Sequence, residues 1–227
     1  MGSLTERISE CGPLLQVALD FVSLADAVRV GSLTALGPSV ILEAGTPLIK
    51  AEGIKSVEVL RSIPGRHLVM ADTKTMDVGG LEARLAFDHG ADAMSVLVAS
   101  SEETIKEAVR EAEASGRDVY ADMMGFTDLE AWVNKARSAG AHVALIHIGI
   151  DVQRALGITA AQITDLVKKV KELFKGPVAV AGGIKPQDVS RLVSAGADII
   201  IIGSAITKSP DPAGAARQAL QGLASRC

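Results

Sequence analysis

Aromatic residues are scarce in this sequence: one Trp, one Tyr and four Phe make up 3% of 227 residues. That disfavours a β-sandwich built on buried Trp and Tyr, and it leaves the 48% hydrophobic content almost wholly aliphatic, as in parallel strands covered by helices. Long apolar runs are missing as well. Ile199–Ile202 has four residues, far short of the roughly 20 that a membrane-spanning helix needs. No run of Lys or Arg is dense enough to follow a phosphate backbone, and the net charge is −4, so nucleic acid is excluded as a partner. The opening MGSLTERISECG carries acids and lacks an apolar centre, so it does not read as a secretory signal. Cysteine is limited to Cys11 and Cys227, near opposite ends and without metal-like spacing. The expectation is a pair of reduced thiols in the cytoplasm, with a staple between the termini as the alternative. No Pro/Ser-rich linker divides the chain.

What the sequence does contain is a repeated alternation. Strands are predicted over Leu14–Asp20, Ser39–Gly45, His67–Thr73, Asp92–Val98, Asp118–Met124, His142–Ile148, Pro177–Gly183 and Asp198–Ser204. Between them lie helical patterns such as SEETIKEAVREAEASG, with Ile105, Ala108, Val109 and Ala112 on one face. FDHGADAMSVL, ARSAGAHVALIH and LVSAGADIIIIG echo one another, each a helix end, a glycine suited to positive φ and a new strand. Eight βα units in 227 residues predict a single-domain (β/α)8 TIM barrel over residues 14–227, preceded by a segment at 1–13. A doubly wound open sheet is the competing architecture. The stretch ALDFVSLADA after the first strand lacks the glycine fingerprint of its dinucleotide-binding form.

In a barrel, chemistry collects where strands end. Leu68, Met70, Asp72 and Lys74 share one face of the third strand, which aims Asp72 and Lys74 into the mouth, with Asp77 on the loop beyond. Asp20, Glu43, Asp122 and His147 stand at the ends of the first, second, fifth and sixth strands. Alone, an acid–lysine pair or a strand-end histidine is more often structural than catalytic; ionisable groups ending five of eight strands point to one converging site. Glu43 and Asp72, on neighbouring strands, could share a Mg2+ ion, which leaves positions for water and substrate oxygens. Lys74 suits an enolate oxygen that gains charge in the transition state, and His147 could move protons at neutral pH. His67 and His142 open their strands at the opposite face and read as structural; His89 reads as a helix-end cap; Trp132 and Phe174 read as packing. Gly182 and Gly183 end the seventh strand, and Gly203 and Ser204 the eighth, where barrels commonly bind phosphate through backbone N–H groups.

DTKTMD carries the Asp-x-Lys-x-x-Asp pattern of the superfamily that contains orotidine 5′-monophosphate decarboxylase, and the resemblance runs from the first strand to the eighth. LQVALD, EAGTPLIKAEG, ADTKTMDVGGLEARLAFDHGAD, HIGIDVQ and VAVAGGIKPQDV together resemble its 3-hexulose-6-phosphate synthase branch. Glu43 stands where the orotidine branch has a lysine, which favours the metal-dependent branch. Ile148 and Ile150 replace two arginines of the 3-keto-L-gulonate-6-phosphate decarboxylases. Ser204 departs from relatives that carry Arg or Gly there, with Lys185 or Lys208 as candidate substitutes for the lost charge. The resemblance implies aldol addition of formaldehyde to D-ribulose 5-phosphate through an enediolate, with Mg2+ on Glu43 and Asp72. His147, or alternatively Asp72, transfers the proton; Lys74 stabilises the enediolate; Asp20 orients Lys74 or substrate hydroxyls; Asp122 binds the sugar chain. Asp77 is implied to enter the active site of a partner subunit, hence a homodimer. The alternatives are 3-keto-L-gulonate-6-phosphate decarboxylation and a catalytically silent sugar-phosphate-binding barrel.

Overall fold

A computed structural model describes residues 2–149 and 160–227. Eight parallel strands close into a barrel in sequence order: β1 (Leu14–Leu19), β2 (Val40–Ala44), β3 (Leu68–Thr75), β4 (Ala93–Leu97), β5 (Asp118–Asp122), β6 (Val143–His147), β7 (Val178–Ala181) and β8 (Ile199–Ile202). The last strand returns to the first, with Leu14 opposite Ile199 and Val17 opposite Ile202. The eight expected strands are all present, seven of them one to three residues shorter than the apolar patterns. β3 is the exception and runs on to Thr75.

The helices described are α1 (Ser3–Cys11), α2 (Leu24–Thr34), α3 (Thr46–Glu52), α4 (Lys55–Arg61), α5 (Gly79–Asp88), α6 (Glu102–Ser115), α7 (Leu129–Ser138), α8 (Ala160–Phe174), α9 (Val189–Ser194), α10 (Ser204–Thr207) and α11 (Pro212–Gly222). The expected face of α6 is buried at Ile105, Ala108, Val109 and Ala112. Ser101 caps that helix by accepting from the Thr104 N–H at 3.0 Å. The echoed glycines Gly90, Gly140 and Gly196 all take positive φ, between 80° and 105°. Trp132 and Phe174 pack against the aliphatic layer between strands and helices.

Strand alternation divides the core in two. Leu15, Val17 and Leu19 face the helices, while Leu14 and Ala18 join Ile41, Met70, Tyr120 and Ile201 inside the barrel. The segment before the first strand is not a loose leader. α1 closes the bottom of the barrel, with Leu4 and Cys11 in the interior cluster. Its first N–H groups, from Leu4 and Thr5, donate to Asp118 Oδ2 at 2.9 and 3.2 Å.

The cysteines overturn the expectation of reduced thiols. Cys11 and Cys227 form a disulfide across 216 positions of sequence, with their Cα atoms 4.9 Å apart. Their separation in sequence concealed a meeting of the termini beneath the barrel. The Arg226 N–H donates to the Cys11 carbonyl at 2.7 Å, and its guanidinium donates to the carbonyls of Ser9 and Glu10, so the tail caps the C-terminus of α1. The cysteines therefore carry no argument for a reducing compartment. No described helix is long and apolar enough to cross a membrane.

Candidate active site

A cavity of about 810 Å3 opens at the C-terminal ends of the strands, within the size range of small-molecule sites. Asp20, Glu43, Asp72, Lys74 and His147 all line it, so four of the five strands expected to converge do so; the exception is Asp122 of β5, which is covered.

The third strand delivers its pair through a local irregularity. The β3–β4 register shifts between Ala71 and Thr75, and Lys74 takes a left-handed φ of 46°. Non-glycine residues pay for that conformation, and such bulges re-aim side chains near active sites. The Lys74 N–H leaves the strand ladder for Ser95 Oγ at 3.0 Å. Its ammonium donates to Asp72 Oδ2 at 2.7 Å, Asp72 Oδ1 at 3.0 Å and Asp122 Oδ2 at 3.3 Å. Burial opposes the Lys74 charge, but Asp72 and Asp122 outweigh it and hold the group above the ordinary lysine range. Asp72 is held on two further sides, by Thr46 Oγ1 at 2.7 Å and Ser95 Oγ at 2.8 Å.

Asp122 does not face substrate space, contrary to the expected role on the sugar chain. Its side chain is 0% exposed and lies behind Lys74 and His147, whose longer side chains reach over it. It accepts from Lys74, from His147 Nδ1 at 3.0 Å and from the Met124 N–H at 2.9 Å. Burial pushes its carboxyl up, but the His147 bond and the neighbouring charges hold it below the usual range. With Asp122 an acceptor, His147 Nδ1 carries the proton and Nε2 is left for chemistry. Asp122 also takes one of the two roles expected of Asp20, orienting Lys74: among the described residues, Lys74 is bonded to Asp72 and Asp122, not to Asp20. Asp20 stands on the rim against Gly45, where a Cβ would meet its Oδ1 at 2.2 Å. Burial and Asp72 raise the Asp20 pKa, while Lys74 and His147 partly offset them.

Glu43 is buried, and its Oε2 accepts from Gln16 Nε2 at 2.6 Å. Burial, then Asp72 and Asp20, push its carboxyl well above the usual range. Crowded acids of this kind suit a divalent cation. Among the described residues no group of three or more His, Cys, Asp or Glu could hold a metal ion; Glu43 and Asp72 both line the cavity and are the two carboxylates that could contribute to one, the small share usual for Mg2+.

Gly182, Gly183, Gly203 and Ser204, the residues expected at a phosphate end, also line the cavity. Lys208 lines it too; Lys185 does not. Asp77 lies outside the cavity, exposed, and accepts from the Val78 N–H at 2.8 Å. Ile148 is buried on the cavity wall, and Ile150 lies outside the described residues. The three remaining histidines are structural: His67 meets the Leu60 carbonyl, His142 accepts from the Val119 N–H, and His89 caps at the Leu85 carbonyl. Sequence reasoning passed over Gln16, Thr46 and Ser95. The signal available for Gln16 and Ser95 was a polar residue at an inward position of an otherwise apolar strand.

Comparison with known proteins bears on the family and the fold. The sequence profile described as "Orotidine 5′-phosphate decarboxylase / HUMPS family" matches residues 13–219. The chain is 38% identical to the 3-hexulose-6-phosphate synthase of Methylomonas aminofaciens, over 93% of this chain and 99% of that protein. It is 36% identical to the bifunctional enzyme Fae/Hps of Archaeoglobus fulgidus over 91% of its own length, and spans 52%, about half, of that longer protein. Among solved structures, one of 3-hexulose-6-phosphate synthase superposes with a TM-score of 0.85 at 35% identity, covering 92% of this chain and 99% of that one. A structure of KGPDC from Streptococcus mutans also gives 0.85, at 28% identity, covering 93% and 97%.

Proposed function

The chain belongs to the orotidine 5′-phosphate decarboxylase / HUMPS family, and from that premise we propose that it is a lyase of the 3-hexulose-6-phosphate synthase kind. Its reaction is the Mg2+-dependent addition of formaldehyde to D-ribulose 5-phosphate, giving 3-hexulose 6-phosphate. The observation that carries this reading is Lys74, an ammonium bonded to two buried carboxylates in a cavity that Glu43 and His147 also line.

Glu43 and Asp72 would hold the Mg2+ ion, which when bound polarises the C2 carbonyl of the substrate. His147 Nε2 takes a proton from C1, and the electron pair moves into the C1–C2 bond as the C2 oxygen gains charge. Lys74 stabilises that enediolate in place. C1 then attacks formaldehyde, forming the new C–C bond, and His147 returns its proton to the former formaldehyde oxygen. Asp72 is assigned to the cation and not to proton transfer, with Lys74, Thr46 and Ser95 steadying its carboxylate. Asp122 fixes the His147 tautomer, and Asp20 is placed at the rim for substrate hydroxyls. Gly182, Gly183, Gly203 and Ser204 receive the phosphate through backbone N–H groups, and Lys208 supplies the charge that Ser204 lacks.

The proposal extends to a homodimer. Asp77 is flanked by Met76 and Val78, 52% and 54% exposed, and Leu81 and Leu85 continue that apolar surface on α5. A second copy covering it would carry Asp77 toward the neighbouring site.

The test is formaldehyde loss in the presence of ribulose 5-phosphate and Mg2+, with and without EDTA. Chelator-sensitive consumption is expected; no consumption by folded, Mg2+-supplied protein would refute the synthase reading. The second reading, decarboxylation of 3-keto-L-gulonate 6-phosphate, is favoured by the likeness to KGPDC and would pass through the same enediolate. CO2 release from that substrate with no formaldehyde consumption would select it. A silent binder would do neither.

A further inference from the structure

A polar chain runs through the barrel interior to Glu43 and has no part in the steps above. Gln16 occupies an inward position of β1 between Leu14 and Ala18 and is 0% exposed. Its Nε2 donates to Glu43 Oε2 at 2.6 Å, and its Oε1 accepts from the Tyr120 hydroxyl at 2.9 Å. Tyr120 lies on β5, is itself fully buried, and is the only tyrosine in the chain.

The direction of this chain matters. A primary amide can present either its oxygen or its nitrogen to a neighbour. A phenol buried among Met70, Ile41 and Leu145 has one proton to give, and giving it to Gln16 fixes the amide oxygen on the Tyr120 side. The amide N–H must then face Glu43. Reversed, the amide oxygen would oppose a carboxylate, an arrangement that a cation-binding acid cannot satisfy. Glu43 thus has one oxygen engaged from below by a donor whose orientation is set on the far side of the barrel. Its other oxygen is left for the cavity.

We propose that Tyr120 and Gln16 form a positioning relay that sets the affinity of the Glu43–Asp72 pair for a divalent cation. The proposal rests on the reading of that pair given above. Gln16 borders the cavity and Tyr120 does not; in this account neither touches the reacting atoms, and both act through Glu43. Partners of metal-ligating carboxylates hold the ligand in orientation, and their loss costs about 10–100-fold in metal affinity.

The experiment is a Mn2+ titration of the full chain without substrate, with free Mn2+ read by electron paramagnetic resonance. Wild type binds, and Glu43→Gln abolishes or severely weakens binding. Gln16→Leu is expected to raise the Mn2+ Kd about 10–100-fold. Tyr120→Phe keeps the ring and removes one hydrogen bond, and is expected to raise it about three- to tenfold. Because Tyr120 acts through Gln16, Tyr120→Phe should add nothing in the Gln16→Leu background, whereas two independent packing defects would add. Should Gln16→Leu fail to fold, Tyr120→Phe alone decides. Wild-type Mn2+ affinity in the folded variants overturns the relay and leaves the cation pair standing. Failure of the wild type itself to bind Mn2+ overturns the pair, and the relay with it.

Discussion

Replacing Asp122 with Asn separates a residue that organises the site from one that binds the sugar. Asp122 accepts from Lys74, His147 and the Met124 N–H and has no exposed surface. Asparagine keeps the shape and one acceptor oxygen but removes the charge and brings an NH2 group toward donors. His147 then loses the partner that keeps its proton on Nδ1. General-base catalysis contributes about 10²–10⁴ in rate, so kcat should fall by that factor, about 3–5 kcal/mol of barrier. The KM for ribulose 5-phosphate should stay within about twofold, because Asp122 does not line the cavity. Stability should fall by about 1–3 kcal/mol through buried donors left poorly paired, softened because Lys74 keeps Asp72. The pH dependence has a definite sign. The folded Asp122 pKa is depressed, so its contribution is present above the unfolded carboxyl value of about 4 and is lost as pH falls through the folded value. Asp122→Asn should lack that portion of the acid-side loss in a thermal-melt series from pH 6 downward. Steady-state kinetics decide the main point: a raised KM with unchanged kcat would return Asp122 to the sugar chain and refute the reasoning.

Other perturbations probe separate parts of the account. Lys208→Ala should raise KM for the phosphorylated substrate about fivefold with little change in kcat, the effect expected of an exposed charge worth about 1 kcal/mol; an unchanged KM would remove it from the phosphate end. Reduction of the Cys11–Cys227 disulfide should lower stability by about 2–4 kcal/mol, below the roughly 5 kcal/mol that chain entropy assigns to a loop of 216 positions. For a chain of this size that is a fall in Tm of about 5–15 °C, read by calorimetry with and without dithiothreitol; an unmoved Tm would show that the tail contacts alone hold the terminus.

The barrel was legible because its signals are local and repeated. Aliphatic runs, period-two alternation and positive-φ glycines each announce one βα unit, and eight of them leave little choice of architecture. Alternation also pointed the right side chains inward, Asp72 and His147 among them. It did not give depth. Asp122 shares the inward face of β5 with Tyr120, but whether it meets substrate depends on Lys74 and His147 reaching over it from other strands. The left-handed turn at Lys74 escaped notice for a similar reason: the residue has no glycine-like signature, and the bulge arises from pairing with Ser95. Gln16 was visible as a polar residue inside LLQVAL, but it lies deeper in the barrel than the strand ends, on the inward face between Leu14 and Ala18. The disulfide joins residues whose spacing says nothing about proximity.

The central claim is that this cavity makes an enediolate from a ribulose phosphate with a divalent cation, Lys74 and His147. The direct measurement is proton NMR of ribulose 5-phosphate in D2O, with enzyme and Mg2+ but no formaldehyde. The account predicts loss of a C1 proton signal to solvent exchange, stopped by EDTA and abolished in His147→Gln. Retention of both C1 protons by folded, Mg2+-supplied protein, or exchange that EDTA leaves untouched, would contradict it.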